Sequence, residues 1–547
     1  MSYTDVATAI RARAAEAPDR VALVFADGRG GWDTWTYAEL DQRTSRYARG
    51  FAAQGIRRGD RALFLVKPSL EFYAMLIALL EVGAVPTVVD PGMGMRKVLA
   101  CIAQIAPRAL VALSAVHVIK TFARAPFRSV EVSITHGRRW FWGGATTDTC
   151  LDADLTPYPI PAFSPDDEAF IVFTSGSTGT PKGVSFRHGM FTGATRLMES
   201  QLGLTAGQVV METFAPFVVF HLAIGETVVV PEMDLSKPMK ADPAKIVNAI
   251  QRWRPAVAFA SPAVLRKIVP YCTERKIVLD SLRTVLTGVA PIPGWFHEGF
   301  RSILAPGGQV VVNYGATEAL TCCTVSTDEV LGETWARTAR GEGNCVGRPF
   351  PEVEVRIVRI SDGPMPVWDE ADRLPSGEIG EVVVKGPIVS PEYKDRPDAN
   401  AVSKVRDTDG AWMHRTGDLG WLDAQGRLWF CGRKSHRIET AAGVIPNGPL
   451  EGIFGEHPAI ARAAVVGVGP AVARTPVLVV EAKPGVSIDA ATTKAILALA
   501  DGTRWAGVVT RLLVHPAFPM DARHNSKIRN EDLTAWAETQ SAVGRGP

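Results

Sequence analysis

AFIVFTSGSTGTPKGV, residues 169–184, couples an apolar run to a loop built from hydroxyls, glycines and one lysine. The run 169–173 has the composition of a buried strand. Behind it, Gly176 and Gly179 let backbone N–H groups approach an anion closely. Thr174, Ser175, Ser177 and Thr178 add hydroxyl donors, and Lys182 adds positive charge. That combination suits a phosphate. The Walker loop is excluded because Gly183, not Ser or Thr, follows Lys182, and the spacing is not the dinucleotide G-x-G-x-x-G. A flexible Ser/Gly linker is not expected directly behind a buried strand.

Outward from that loop, strands alternate with helices. RALFLV (61–66), VPTVVD (85–90), TVVVP (227–231), AVAFAS (256–261), TVLTG (284–288) and QVVVNYG (309–315) read as further buried strands. SLEFYAMLIALLEVG (69–83) and DPAKIVNAIQRW (242–253) read as helices between them. The pattern predicts an α/β fold with parallel sheets covered on both faces in αβα subdomains. Near residue 350 the strands become short and period-two, as in VEVRIV (353–358), EIGEVVVKG (378–386) and RLWFCGR (427–433), which predicts a β subdomain. Beyond Gly432, HRIE, ARAAVVGV, PVLVVEA and a polar helix around Asn530–Trp536 predict a small mobile α+β domain. The expected division is a large domain over 1–432 and a small one over 433–547.

Composition narrows the function classes. Lys+Arg 59 against Asp+Glu 57 leaves a formal charge of +2, so no global field draws the chain to nucleic acid or an acidic membrane. Seven cysteines without a Cys-x-x-Cys argue against a disulfide framework or zinc ribbon, and Cys322 and Cys323 are expected to be core or pocket-wall residues. The first residues read as an amphipathic helix carrying Val6, Ile10 and Ala14, not as a signal sequence. AMLIALL (74–80) and FAPFVVFHLAIG (214–225) are shorter than the ~20 residues of a spanning helix. The expectation is a cytoplasmic protein that does not span a membrane.

TSGSTGTPKGV resembles the phosphate loop of the adenylate-forming superfamily, which includes acyl-CoA synthetases, peptide-synthetase adenylation domains and beetle luciferases. NYGATE (313–318) is similar to its Tyr-Gly-x-Thr-Glu motif. The resemblance implies that Asn313, Tyr314 and Gly315 hold adenine, that Thr317 meets the α-phosphate, and that Glu318 helps hold magnesium. A carboxylate beside a phosphate-binding hydroxyl makes sense with a cation between them. GVAP (288–291) resembles the adenine-pocket segment, which places Gly288, Ala290 and Pro291 there. HRTGDLG (414–420) resembles the motif whose aspartate, here Asp418, holds the ribose hydroxyls; a carboxylate can accept two hydrogen bonds from a diol. Without the resemblance, RTGD would read as an ordinary turn.

GRKSHRIE (432–439) resembles the interdomain hinge, with Arg433 near the ribose and Lys434 as the pivot. DARHNSKI (521–528) falls where the superfamily carries its catalytic lysine, here Lys527. An ammonium there attracts the substrate carboxylate and stabilises charge at phosphorus. Two departures stand out. Ile438 to Gly443 reads IETAAG instead of Ile-Lys-x-x-Gly, and Ser526-Lys527 replaces Gly-Lys. The first weakens a role for that loop toward a CoA thiol.

Within the superfamily, VDPGMGMRKV (89–98), residues 214–225, VVVPEMDLSKPMKADP (228–243), WFCGRKSHRIETAAG (429–443) and DARHNSKI are similar to the bacterial β-lactone synthetases of long-chain olefin and β-lactone biosynthesis; VIPNGPLE (444–451) departs from them. The resemblance implies ATP and Mg²⁺ as cofactors, no requirement for CoA, and a hydrophobic 2-alkyl-3-hydroxy acid that is adenylated and then closed to a β-lactone. It implies no nucleic-acid partner, and association with other enzymes of the same lipid pathway. Phe217, Phe220 and His221 are candidates for the acyl pocket, although His221 also reads as a hydrogen-bonded core histidine. Two rivals stay open: a long-chain fatty acyl-CoA ligase, and an inactive nucleotide-binding regulatory protein. Lys182, Thr317, Glu318, Asp418 and Lys527 argue against the second.

Overall fold

The computed structural model describes residues 3–174, 181–288, 290–520 and 528–543. Two large sheets dominate. In the first, the strands run in the order Ala145–Thr146, Val132–His136, Ala109–Leu113, Arg61–Leu65, Val85–Val88, Glu168–Thr174 and Lys182–Arg187. All are parallel except the last, which turns back on Glu168–Thr174. Thr174 pairs with Lys182 across that hairpin. Thr174 and Lys182 are therefore neighbours in space.

The second sheet is half parallel and half antiparallel. Val21–Ala26, Thr227–Val230, Val209–Glu212, Val257–Phe259, Thr284–Gly288 and Gln309–Ala316 form the parallel half. Ala319–Ser326, Asn344–Pro349, Leu428–Arg433, Trp412–Leu422, Gly380–Lys385 and Glu354–Val358 continue it antiparallel. The expected parallel sheets and antiparallel β region are both present, the latter fused to the second sheet's edge.

Local chemistry sets the helices. Leu70–Val82 starts where the Ser69 hydroxyl accepts from the Phe72 N–H and stops at Gly83, whose φ of +80° suits a residue without a Cβ. Its apolar residues are buried almost all round because it lies between the two sheets, in contact with both Tyr37–Ala53 and the strand Val21–Ala26. Past Arg433 the chain builds a smaller sheet, Ile460–Val468, Thr475–Ala482 and Leu512–Val514, with the helices Asn447–Phe454, Ala490–Ala498 and Asn530–Val543. Among the described residues no helix is long and apolar enough to cross a membrane. The seven cysteines are buried and free, Cys322 and Cys323 within the core.

Candidate active site

The hairpin Gln309–Ala316/Ala319–Ser326 places the NYGATE residues. Ala316 pairs with Ala319, so Thr317 and Glu318 form a two-residue turn at its tip. Gly315 is required by close approach: a Cβ there would lie 2.4 Å from the Leu320 carbonyl oxygen. Asn313 sits beside Gly288, the end of Thr284–Gly288, and its Oδ1 is buried without a partner among the described residues. Ala290 is half-buried and Pro291 exposed just beyond.

Two clusters form on this frame. In the first, Asp418 accepts from the Tyr314 hydroxyl at 2.7 Å on one oxygen and from Arg433 at 2.8 Å on the other. HRTGDLG is not a turn at a loop end; it lies inside the long strand Trp412–Leu422, with Gly417 at φ +70° kinking the backbone ahead of Asp418. Burial raises the Tyr314 phenol far above its usual range, and the Asp418 carboxylate adds to this. Asp418 in turn raises the Arg433 guanidinium. The phenol thus stays a donor and the guanidinium stays charged.

In the second cluster, the Tyr393 hydroxyl donates to Glu318 Oε1 at 2.6 Å. The ammonium of Lys182 lies 4.7 Å from the centre of the Tyr393 ring, and that of Lys404 lies 5.2 Å from it. Backbone bonds fix the arrangement: the Ser390 N–H donates to the Glu318 carbonyl at 2.8 Å, and the Lys394 N–H to the Gly183 carbonyl at 2.7 Å. Burial lowers the Lys182 ammonium, partly countered by Glu318. Lys404 is fully buried, donates to the Ser390 carbonyl at 2.6 Å, and is lowered to about 7 by that burial.

A narrow apolar cavity of about 20 Å³ lies alongside, lined by Leu197, Phe217, Phe220, Phe259, Leu320 and Phe350, with His221 and Asn313 also on its wall. That is room for about one water molecule. Phe217 packs edge-on against Phe259 at 4.9 Å, and Phe220 stacks on Phe191 at 4.4 Å. His221 is buried and lies on the cavity wall. Its Nδ1 is 2.6 Å from Glu226 and its Nε2 3.2 Å from Glu212. Burial opposes a charge on the ring, but the two carboxylates outweigh it and push His221 up to about 10.

Lys434 begins a short 3-10 turn after Arg433 and reaches Glu381 at 2.9 Å and the Ser361 carbonyl at 2.7 Å. Ser175, Gly176, Ser177, Thr178, Gly179 and Lys527 lie outside the described residues.

The sequence profile of the AMP-binding enzyme family matches residues 10–394. The chain belongs to that family. This AMP-binding enzyme is 40% identical to the olefin beta-lactone synthetase of Stenotrophomonas maltophilia (strain K279a) over 549 residues, which covers 98% of each chain. It is 38% identical to that of Xanthomonas campestris pv. campestris over the same share. The o-succinylbenzoate coenzyme A synthetase of Bacillus subtilis superposes with a TM-score of 0.74 at 23% identity, covering 96% of this chain and 97% of the other, a likeness of fold. The AMP-binding enzyme is an adenylate-forming ligase.

Four residues at the AMP-binding enzyme's candidate site belong to none of the motifs read from the sequence. Tyr393 and Lys404 reach it from a loop and a short strand, while Glu212 and Glu226 bracket the apolar stretch 214–225. The last pair left one signal: two carboxylates at the ends of an otherwise apolar run, with a histidine inside it.

Proposed function

We propose that this ligase activates a long-chain 2-alkyl-3-hydroxy acid as its acyl-AMP and closes it to a β-lactone, releasing AMP and pyrophosphate. The observation that carries the reading is the identity of 40% to an olefin beta-lactone synthetase along 98% of both chains. That match extends through the hairpin Ile438–Thr440/Gly443–Ile445, where the usual lysine is Glu439, tied to Arg437 at 2.7 Å.

The residues present fit MgATP. The unpartnered Asn313 Oδ1 suits an amino donor such as that of adenine. A carboxylate has about four acceptor positions, so Asp418 retains two for a ribose diol while Tyr314 and Arg433 orient it. Tyr393 occupies Glu318 Oε1, and among the described residues no donor reaches Oε2. Magnesium held there with phosphate oxygens would neutralise charge on the triphosphate. Lys182 would sit on the phosphates, Thr317 on the α-phosphate, and Lys527 between the substrate carboxylate and the phosphorus.

In the first step a carboxylate oxygen attacks the α-phosphorus and pyrophosphate leaves. In the second the substrate's own β-hydroxyl oxygen attacks the acyl carbon, loses its proton and expels AMP. A held hydroxyl acts at high effective molarity, which offsets part of the strain of a four-membered ring. The phenylalanine-lined cavity supports an alkyl chain and a dry site. At about 20 Å³ it admits such a chain only when the Phe217–Phe259 and Phe191–Phe220 contacts open. Residues 1–432 and 433–547 would act as two bodies with the pivot at Lys434. The test is pyrophosphate release and product analysis with a 3-hydroxy acid, with and without CoA. A thioester in place of a lactone would reassign the enzyme as an acyl-CoA ligase.

A further inference from the structure

The parallel strands Arg61–Leu65, Val85–Val88, Ala109–Leu113, Val132–His136 and Glu168–Thr174 end on one edge of the first sheet. Two exposed segments leave that edge. After His136 comes Gly137-Arg138-Arg139-Trp140-Phe141-Trp142, in which Trp140 is 57% and Phe141 67% exposed. After Val88 comes the turn Pro91–Met93, then Met95, 53% exposed, followed by exposed Arg96 and Lys97. Three strand spacings separate the two segments, roughly 14 Å.

The aromatic loop is anchored. The Trp142 ring stacks on buried His117 at 5.6 Å, and its Nε1 donates to Thr135 Oγ1 at 2.9 Å. The Ser114 hydroxyl donates to the Arg138 carbonyl at 2.5 Å. With its base held, the loop keeps Trp140 and Phe141 in water. Among the described residues Arg138, Arg139, Arg96 and Lys97 make no ion pair, although Arg139 donates to the Gly144 carbonyl of its own loop, whereas Asp90, an acid on the same edge, caps Gly92.

We propose that this edge is a docking surface for an anionic lipid bilayer. Tryptophan, phenylalanine and methionine gain by entering the interfacial layer, and unpaired cations gain beside lipid phosphates. Trp140 and Phe141 stand on one segment and Met95 on the other, and the cations beside them are what anionic headgroups require. The chain's formal charge of +2 provides no global attraction, so binding depends on these residues. The same edge ends at Thr174, where the phosphate loop begins, so docking would set the mouth of the nucleotide site beside the bilayer. The inference goes beyond the ligase reading and does not depend on which acid is activated.

The test is co-sedimentation of the full-length enzyme with vesicles of phosphatidylglycerol and phosphatidylcholine against pure phosphatidylcholine, with tryptophan emission followed alongside. Wild type should bind the anionic vesicles, with a blue shift, and more weakly as salt is raised. R138Q/R139Q should lower the partition coefficient about 30-fold, each arginine contributing about fivefold. W140S/F141S should remove the blue shift. ATP–pyrophosphate exchange with a short soluble acid should be unchanged in both variants, which shows that they fold. Equal binding to neutral and anionic vesicles, or full binding by both variants, would overturn the proposal. So would a lipid-free oligomer in sedimentation velocity that W140S/F141S dissolves, which would make the patch a contact between copies of the chain.

Discussion

Asp418→Ala should abolish tight ATP binding while leaving the fold in place. Asp418 is held by two charge-assisted donors, Tyr314 at 2.7 Å and Arg433 at 2.8 Å. A ribose diol on its two remaining acceptor positions would form two more bonds of the same kind. At about 1.5–3 kcal/mol each, their loss amounts to roughly 3–6 kcal/mol, or about a 150- to 20,000-fold rise in Kd. Tyr314→Phe removes only an orienting bond and should cost about 1–3 kcal/mol, roughly five- to 150-fold. Calorimetric titration of MgATP without the acid isolates binding from chemistry, and a thermal melt monitors the fold. If Asp418 merely ties Trp412–Leu422 to Gln309–Ala316, the melting temperature falls while ATP affinity stays within about threefold of wild type. That pattern would refute the ribose assignment.

Lys527→Ala should collapse pyrophosphate release with little change in ATP affinity, because the proposed contact is made in the transition state; wild-type turnover would remove Lys527 from the mechanism. Tyr393→Phe removes the 2.6 Å bond to Glu318 and should lower kcat/KM about 10- to 100-fold, with an altered Mg²⁺ dependence that a purely structural residue would not produce. Lys404 is lowered to about 7 by burial, against about 10.4 in an unfolded chain. Between those values the unfolded state binds the proton that the native state has released, so this site's contribution to stability rises with pH, by up to about 1.4 kcal/mol per unit. Wild type should therefore gain stability relative to Lys404→Met from pH 7 to 10; a constant difference would contradict the burial of a titrating amine.

The fold was legible where local pattern and tertiary need agree. AFIVF is a short, wholly apolar run and QVVVNYG carries three consecutive valines, and in a sheet covered on both faces such runs offer little alternation in the sequence to read beyond length and flanking turns. RTGD shows the opposite case: Thr-Gly-Asp has turn chemistry, yet neighbours on both sides absorb it into Trp412–Leu422, with Gly417 taking up the kink. The candidate site divides the same way. Tyr314, Glu318 and Asp418 stand in recognisable short strings. Tyr393 and Lys404 come to Glu318 and Lys182 through pairing between distant segments, such as Val184 with Tyr393, and no local spacing encodes that. The Glu212–His221–Glu226 arrangement depends on a helix turning back beside two strands, so the sequence marks His221 but not its two carboxylate partners.

The central claim is tested most directly by the organic product formed from ATP, Mg²⁺ and a long-chain 2-alkyl-3-hydroxy acid in the absence of CoA. Mass spectrometry and NMR should show the β-lactone with stoichiometric AMP and pyrophosphate. The matched 3-deoxy acid should stop at the adenylate, because it has no internal nucleophile. If no lactone appears and both acids become thioesters at similar rates once CoA is added, the account of the second step is contradicted.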